Sequence, residues 1–167
     1  RAKGSLLSGV PMSWMVRWAG GFPLFVAGGE GAHFEDVDGR LYLDLCLGDT
    51  GAMTGHAPKA AVKAASERLA RGATFMLPTE DAVVVGEELE RRFGLAFWQI
   101  TLSATDANRF ALRLARGVTG RHRVLVFNYC YHGTVDEAFA TLAEGKVAAR
   151  TDNLGPGVDP AATTKVV

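Results

Sequence analysis

Apolar and polar positions change their period several times along the chain, and each change predicts an element. From Phe22 to Gly48 the segment FPLFVAGGEGAHFEDVDGRLYLDLCLG alternates apolar residues on either side of Asp38-Gly39, the pattern of two strands joined by a tight hairpin. Gly28, Gly29 and Gly31 mark an earlier turn, and Pro23 suits an edge or a strand start; the spacing predicts an antiparallel meander of two or three strands. From Pro58 the period becomes helical, with Ala61, Val62, Ala65 and Leu69 as a stripe, Pro58 at the first helical position and Gly72 at the C-terminal cap. A second helix starts near Thr79 with Glu80 and Asp81 in its first turn, turns Val85, Leu89 and Phe93 inward and stops at Gly94.

Further along, Phe97 to Ser103 places Trp98, Ile100 and Leu102 on one face, which predicts a strand running straight into a helix over 105–117 with Ala107, Phe110, Ala111 and Leu114 inward. Arg109, Arg113 and Arg116 fall off that stripe and read as a solvated face. Val124 to Phe127 is a short continuous apolar run, expected of a strand covered on both sides in a parallel sheet, so the unit is βαβ with a right-handed crossover. Thr134 to Glu144 predicts another helix on Val135, Phe139 and Leu142, and 150–163 reads as a loop.

Composition narrows the function classes. The 167 residues are 48% apolar and 22% charged, enough for one substantial core in one or two domains. Lys and Arg (18) balance Asp and Glu (18) for a formal net charge of zero, which lacks the basic surplus of a nucleic-acid binder. Cys46 and Cys130 have apolar flanks and are expected to be buried thiols. No apolar run approaches the ~18 residues of a membrane span and no signal segment opens the chain, so the reading is of a soluble, cytoplasmic protein. The chain opens on Arg1 and ends on Thr164-Lys165-Val166-Val167, which resembles the start of a strand; a piece of a longer protein is expected.

Two segments fall where ligands gather in α/β sheets, beyond the carboxyl ends of strands. Ser103-Ala104-Thr105-Asp106 opens a helix with two hydroxyls and backbone donors, and Tyr129-Cys130-Tyr131-His132-Gly133 follows the next strand. Singly, Ser103 and Thr105 read as N-caps, and Tyr131 and His132 as packing residues. Together, at the ends of adjacent parallel strands, one segment can hold a phosphate at a helix N-terminus while the other lays a ring over a planar cofactor. Other chemistries fail on spacing: there is no triphosphate or dinucleotide fingerprint, Asp36-Val37-Asp38-Gly39 lacks the later ligands of a calcium loop, His33, His56, His122 and His132 show no zinc pattern, and no Ser sits in a nucleophile elbow.

FEDVDGRLYLDLCLGDTGAMTGHAPKAAVKAA and LSATDANRFALRLARGVTGRHRVLVFNYCYHG, in that order and spacing, resemble the class III aminotransferases, with the glutamate-1-semialdehyde aminomutase-like branch most similar. The resemblance covers about Val10 to Val167. It implies an α/β fold in which an N-terminal antiparallel meander precedes the first part of a three-layer α/β/α large domain of a pyridoxal-phosphate-dependent transferase. It places an N-terminal segment at 1–76 and the start of the cofactor-binding domain at 77–167.

The resemblance further implies pyridoxal 5'-phosphate as cofactor, with Ser103, Ala104 and Thr105 on its phosphate, Tyr131 stacked on its ring and His132 close by. Ala104 stands where Gly is common in the family, and Asp106 where Glu is common. The family's Schiff-base lysine lies in a later segment, and none of Lys3, Lys59, Lys63, Lys146 and Lys165 matches it, so no catalytic residue is expected in this chain. A homodimer with shared sites follows from the same resemblance, as do an amino donor and a keto acceptor as small-molecule partners. In VPMSWMVRW, Arg17 is the expected receiver of a substrate carboxylate, with Trp14, Met15 and Trp18 walling an apolar pocket; the plain alternative is that these aromatics pin the N-terminal segment and Arg17 is a surface residue. Three activities fit: an aminotransferase, an aminomutase or amino-acid racemase on the same cofactor, or a non-enzymatic fragment that assembles with a partner.

Overall fold

The computed structural model describes residues 1–17, 23–151, 154 and 159–167. They form two compact units, Arg1–Pro78 and Thr79–Val167.

In the first unit, short 3₁₀ turns at Ala2–Gly4, Leu7–Gly9 and Ser13–Arg17 precede β1 (Val26–Glu30), β2 (His33–Asp36) and β3 (Leu41–Leu43). These make the expected meander, in the order β1-β2-β3 with antiparallel pairing throughout. Gly28 and Gly29, read from sequence as a turn, lie instead inside β1, where the register shifts between Val26 and Gly28. Small residues suit such an irregularity; the turn itself is at Gly31, with φ 57°.

The β2–β3 hairpin is built around one carboxylate. Asp36 is 2% exposed and accepts the N–H of Asp38, the N–H of Arg40 and the hydroxyl of Tyr42, each at 2.9 Å. The Arg40 N–H above all, against the opposing pull of burial, and then the Tyr42 hydroxyl and Asp38 N–H hold its carboxyl below the usual range. Across the same strands the Phe34 and Tyr42 rings stack at 5.0 Å between centroids, adding a cross-strand aromatic contact.

Beyond β3, Asp44 folds a tight loop by accepting the N–H groups of Cys46 and Gly48 and meeting His56 Nε2 at 2.7 Å. Burial pushes the Asp44 carboxyl up, and the His56 bond and the two N–H groups outweigh it. Helix α1 (Lys59–Ala70) follows. Pro58 is its N-cap rather than its first helical residue, and Gly72, with φ 92°, lies just past the Arg71 cap; both shifts are one residue from the sequence reading.

The second unit starts with α2 (Glu80–Phe93), which begins after Thr79 and stops at a left-handed Gly94, as expected; the Thr79 side chain makes no capping bond. Its stripe is not turned inward: Val85 and Phe93 are exposed and no α2 residue is buried. The strand expected over 97–103 is likewise not formed. A strand exists only through its ladder bonds, and among the described residues no other strand pairs with this segment. Helix α3 (Ala104–Thr119) runs past Gly117 to a left-handed Gly120, because a mid-helix glycine costs only about 1 kcal/mol.

After α3 come β4 (Val124–Val126), the hairpin of β5 (Ala140–Ala143) and β6 (Lys146–Ala149), and β7 (Thr164–Val166). β4 and β7 pair in parallel, Val124 opposite Thr164, as a strand at each of these places predicts. The helix expected over 134–144 is a single 3₁₀ turn at Asp136–Ala138 followed by the β5–β6 hairpin. Glu144 and Gly145 both have positive φ, 51° and 75°, the two-residue turn whose twist suits a hairpin. Asn128, just beyond β4, fixes β5 by accepting the Thr141 hydroxyl and the Leu142 N–H at its Oδ1.

Val126, Val135, Ala138, Ala140 and Val166 form the buried cluster of this unit, with Leu112 packed against it. Both cysteines are exposed rather than buried. Their apolar flanks, Leu45 and Leu47 for Cys46 and Tyr129 and Tyr131 for Cys130, are themselves exposed, so an apolar neighbourhood in sequence did not become one in space. No helix among the described residues is long and apolar enough to cross a membrane.

The α3 arginines also depart from a plain solvated face. Arg116 is about a quarter exposed and donates from Nη1 to Glu137 Oε1 at 2.5 Å, with its Nε on the His122 carbonyl; Arg109 reaches the Thr134 carbonyl. The Arg116 bond, opposed by burial, holds the Glu137 carboxyl below its ordinary range. A lowered carboxyl pKa contributes stability above the unfolded value of ~4.3 and loses it as pH falls through the folded value. Glu137→Gln is therefore expected to cost about 1 kcal/mol near pH 7, reduced by partial exposure, and to flatten the fall in stability below about pH 5. Urea unfolding of both proteins from pH 7 to pH 3 checks this, and parallel curves would show that the pair contributes nothing.

Candidate functional site

The first turn of α3 and the segment beyond β4 meet within the second unit. Ser103 is the N-cap: its Oγ accepts the Asp106 N–H at 3.1 Å and donates to Asp106 Oδ2 at 2.9 Å. Asp106 has the reach for this bond. Ser103 therefore performs the capping role that its residue type favours, and its hydroxyl hydrogen is engaged.

Thr105 does something else. Its Oγ1 accepts the Thr134 N–H at 3.1 Å and lies 3.5 Å from the Thr134 hydroxyl, which leaves its own hydrogen to donate. One turn on, Asn108 Nδ2 donates to the His132 carbonyl at 2.8 Å. Between these bonds Gly133 has φ 82°, and a Cβ there would lie 2.6 Å from Thr105 Oγ1 and 2.9 Å from Thr105 Cα. The two segments thus touch backbone to backbone. Only glycine fits, both for its left-handed angle and for the space.

From this clamp Tyr131 projects with its ring exposed; among the described residues no aromatic ring stacks on it. Arg150 fixes the same segment by donating to the Cys130 carbonyl at 2.8 Å. His132 faces the other way, lining with Asn108, Ala111, Leu112 and Val126 a cavity of about 280 Å³. Its Nε2 is buried without a hydrogen-bond partner. The structure therefore sets the loop that carries Tyr131 and His132 against the helix start at Ser103, Ala104 and Thr105, with the His132 ring turned into the cavity, although the strand expected to deliver the first three is absent.

At a helix start the N–H groups of the first residues, here Ala104 and Thr105, have no partner inside the helix and carry a partial positive charge. With the Thr105 hydroxyl they form a donor set for a phosphate, and the open Tyr131 face offers a planar ligand a stacking surface. The residues fit a phosphorylated aromatic cofactor. Sequence reasoning missed Asn108 and Arg150, whose backbone partners lie 24 and 20 positions away in the chain.

Arg17 lies in the first unit, exposed at the end of a 3₁₀ turn. Of its expected companions, Met15 is half-buried and lines an apolar cavity of about 420 Å³ with Leu24, Val26, Phe34 and Tyr42; Trp14 is exposed, and Trp18 falls outside the described residues, as do Phe22 and most of the 152–158 loop. Among the described residues no group of His, Cys, Asp and Glu could hold a metal ion.

A hydroxyl-bearing helix start clamped to an aromatic, glycine-containing loop has the donors and the open ring face that a phosphate-bearing planar ligand requires. The profile of the family Aminotransferase class-III matches residues 14–165, and the chain belongs to that family. It is 36% identical over 165 residues to a glutamate-1-semialdehyde 2,1-aminomutase of Methanocaldococcus jannaschii, covering 98% of this chain and 38% of that protein. A glutamate-1-semialdehyde-aminomutase structure from Pseudomonas aeruginosa superposes with a TM-score of 0.93 at 48% identity, over 99% of this chain and 37% of that one; the same enzyme is also known in complex with PMP. An omega-transaminase from Sphaerobacter thermophilus gives a TM-score of 0.85 at 30% identity, over 99% and 39% of the two chains. The chain thus spans less than two-fifths of the length of these relatives.

Because the Gly133 contact includes the Thr105 backbone, Gly133→Ala is expected to cost roughly 2 to 3 kcal/mol through strain and overpacking. It should also speed amide exchange at Thr134. A melting temperature and exchange rates equal to those of the unaltered protein would mean that the two segments are not held at this separation.

Proposed function

We propose that this chain forms the N-terminal part of a pyridoxal-phosphate-dependent aminotransferase, with the cofactor's phosphate at the start of α3 and its ring against Tyr131. One observation supports the reading: the loop that carries Tyr131 is clamped at Gly133 and Thr134 against Thr105 in the first turn of α3. In this proposal the boundary falls after residue 76, the substrates are a small amino donor and a keto acid or aldehyde, and the enzyme is a cytoplasmic homodimer with shared sites.

When bound, the cofactor supplies an electron sink for bonds at the amino-bearing carbon of the substrate. The residues of this chain bind and orient. The N–H groups of Ala104 and Thr105 and the Thr105 hydroxyl hold the phosphate, and Ser103 keeps the helix start in shape through Asp106. Tyr131 excludes water from one ring face. The lysine that would act on substrate is not among Lys3, Lys59, Lys63, Lys146 and Lys165 in this reading. Arg17, through two parallel charge-assisted bonds, is proposed to receive a substrate carboxylate.

A second reading is favoured by the names of the relatives: an aminomutase, which returns the nitrogen to the same carbon skeleton. Converting a single amino substrate with no added acceptor distinguishes it from a transferase.

The complete enzyme incubated with pyridoxal phosphate is expected to gain a borohydride-reducible absorption band above the ultraviolet. Tyr131→Ala should weaken cofactor retention by roughly 1 to 2 kcal/mol while Tyr131→Phe retains most of it, since the ring rather than the hydroxyl makes the contact. No band in the unaltered enzyme, or equal affinity in Tyr131→Ala, would count against the assignment. For Arg17, kinetics of Arg17→Lys with a carboxylate-bearing substrate and an uncharged amine of similar shape should show a selective loss of kcat/KM for the first, because an ammonium cannot reproduce the guanidinium fork. The same loss for both would clear Arg17 of the role.

A further inference from the structure

We propose that Asn108 is a positioning residue for the cofactor ring, acting through the backbone that carries Tyr131. The inference rests on the pyridoxal-phosphate reading of the site and deepens it.

Three observations lead there. Asn108 Nδ2 bonds the His132 carbonyl, the peptide oxygen next along the chain from Tyr131, at 2.8 Å. That bond joins residues 24 apart in sequence and links α3 directly to the ring-bearing segment. The same segment is held two residues further on by the Thr134 N–H on Thr105 Oγ1, so Gly133 is fixed on both sides by side chains of a single helical turn. Gly133, lacking a Cβ, lets this turn approach to backbone contact.

The consequence is geometric. A phosphate held at the start of α3 and a ring lying on Tyr131 belong to one rigid molecule, so their separation must match that of the protein groups that hold them. Thr105 sits at the phosphate end of that separation. Asn108 sets the other end by fixing where the loop that carries Tyr131 meets α3. Side-chain locking of this kind is what keeps a binding constellation within a fraction of an ångström of its productive geometry. Asn108 touches no cofactor atom in this account; it lines the cavity beneath α3 together with Ala111, Leu112 and Val126, surroundings that would accept an apolar side chain of the same size.

That last feature supplies the test. Asn108→Leu keeps the volume, adds no charge near the phosphate and removes the donor; Asn108→Ala serves if the leucine variant does not fold. In the complete enzyme, titration with pyridoxal phosphate is expected to show affinity roughly three- to tenfold weaker than in the unaltered enzyme, the scale of one hydrogen bond, with an altered circular dichroism of the cofactor band. Amide exchange should accelerate several-fold at Gly133 and Thr134 and stay unchanged in α2. In a Tyr131→Ala background the Asn108 substitution should change affinity by less than about twofold, because a residue that acts through the ring has nothing left to position. Equal losses in both backgrounds, or unaltered exchange at Gly133 and Thr134, would overturn the proposal. If the unaltered enzyme binds no pyridoxal phosphate, the functional reading fails instead, and the exchange comparison, which needs no cofactor, still decides whether Asn108 holds this backbone.

Discussion

Gly133 meets Thr105 at a distance that leaves no room for a Cβ, and the site depends on that contact. With no side chain between the two backbones, the Thr134 N–H reaches Thr105 Oγ1 and the Asn108 amide reaches the His132 carbonyl. The rest of the segment is secured in turn. Asn128 ties its beginning to β5, and Arg150 takes the Cys130 carbonyl. Backbone groups at several points between Asn128 and Thr134 are thereby satisfied by side chains, as irregular backbone near a core requires. A loop so fixed can leave Tyr131 in solvent without letting it wander.

Thr105 shows how few atoms serve several purposes. Its oxygen accepts from Thr134 while its hydrogen stays available, whereas the Ser103 hydroxyl is consumed by the Asp106 cap. Adjacent hydroxyls that look equivalent in sequence thus have different donor capacity, a distinction drawn by the hydrogen-bond inventory of a hydroxyl group. In the first unit carboxylates take the corresponding organising role: Asp36 and Asp44 each gather backbone N–H groups of a tight turn, the first with Tyr42 and the second with His56. Both are held ionised by what they organise, so the turns and the charges stabilise one another.

Local signals were legible where the element closes on itself. The Asp38-Gly39 hairpin, the α2 start after Thr79 with its Gly94 stop, and the Ser103 helix start depend on neighbours within a few residues, and all are found. The two misread segments differ in cause. Residues 97–103 have strand-type spacing, yet a strand needs a partner that local pattern does not contain, and none is present among the described residues. Residues 134–144 carry a helical stripe on Val135, Phe139 and Leu142, but Glu144-Gly145 with its two positive φ angles and the Asn128 bonds to β5 favour a hairpin. There the turn chemistry was in the sequence and the apolar spacing outweighed it in the reading. Asn108 was unreadable for the opposite reason: its partner lies 24 positions away, and nothing around it announces a bond at that distance. The residues singled out at the site were found by residue type and place, and the interaction that joins them had to come from the fold.

The distribution of burial fits the family assignment from a different direction. The buried cluster of the second unit is confined to β4, β5, β7 and the 3₁₀ turn between them, while Val85, Phe93, Ile100 and Leu102 remain exposed. Apolar residues at helical or strand spacing encode contacts, so these positions specify neighbours that the described residues do not provide. The relatives that the chain matches are more than twice as long. The clamp around Gly133 needs none of those neighbours, since every bond in it is made within the second unit. The bonds that hold the Tyr131-bearing loop on this helix start therefore span 24 and 29 positions of sequence and come from side chains of a single turn.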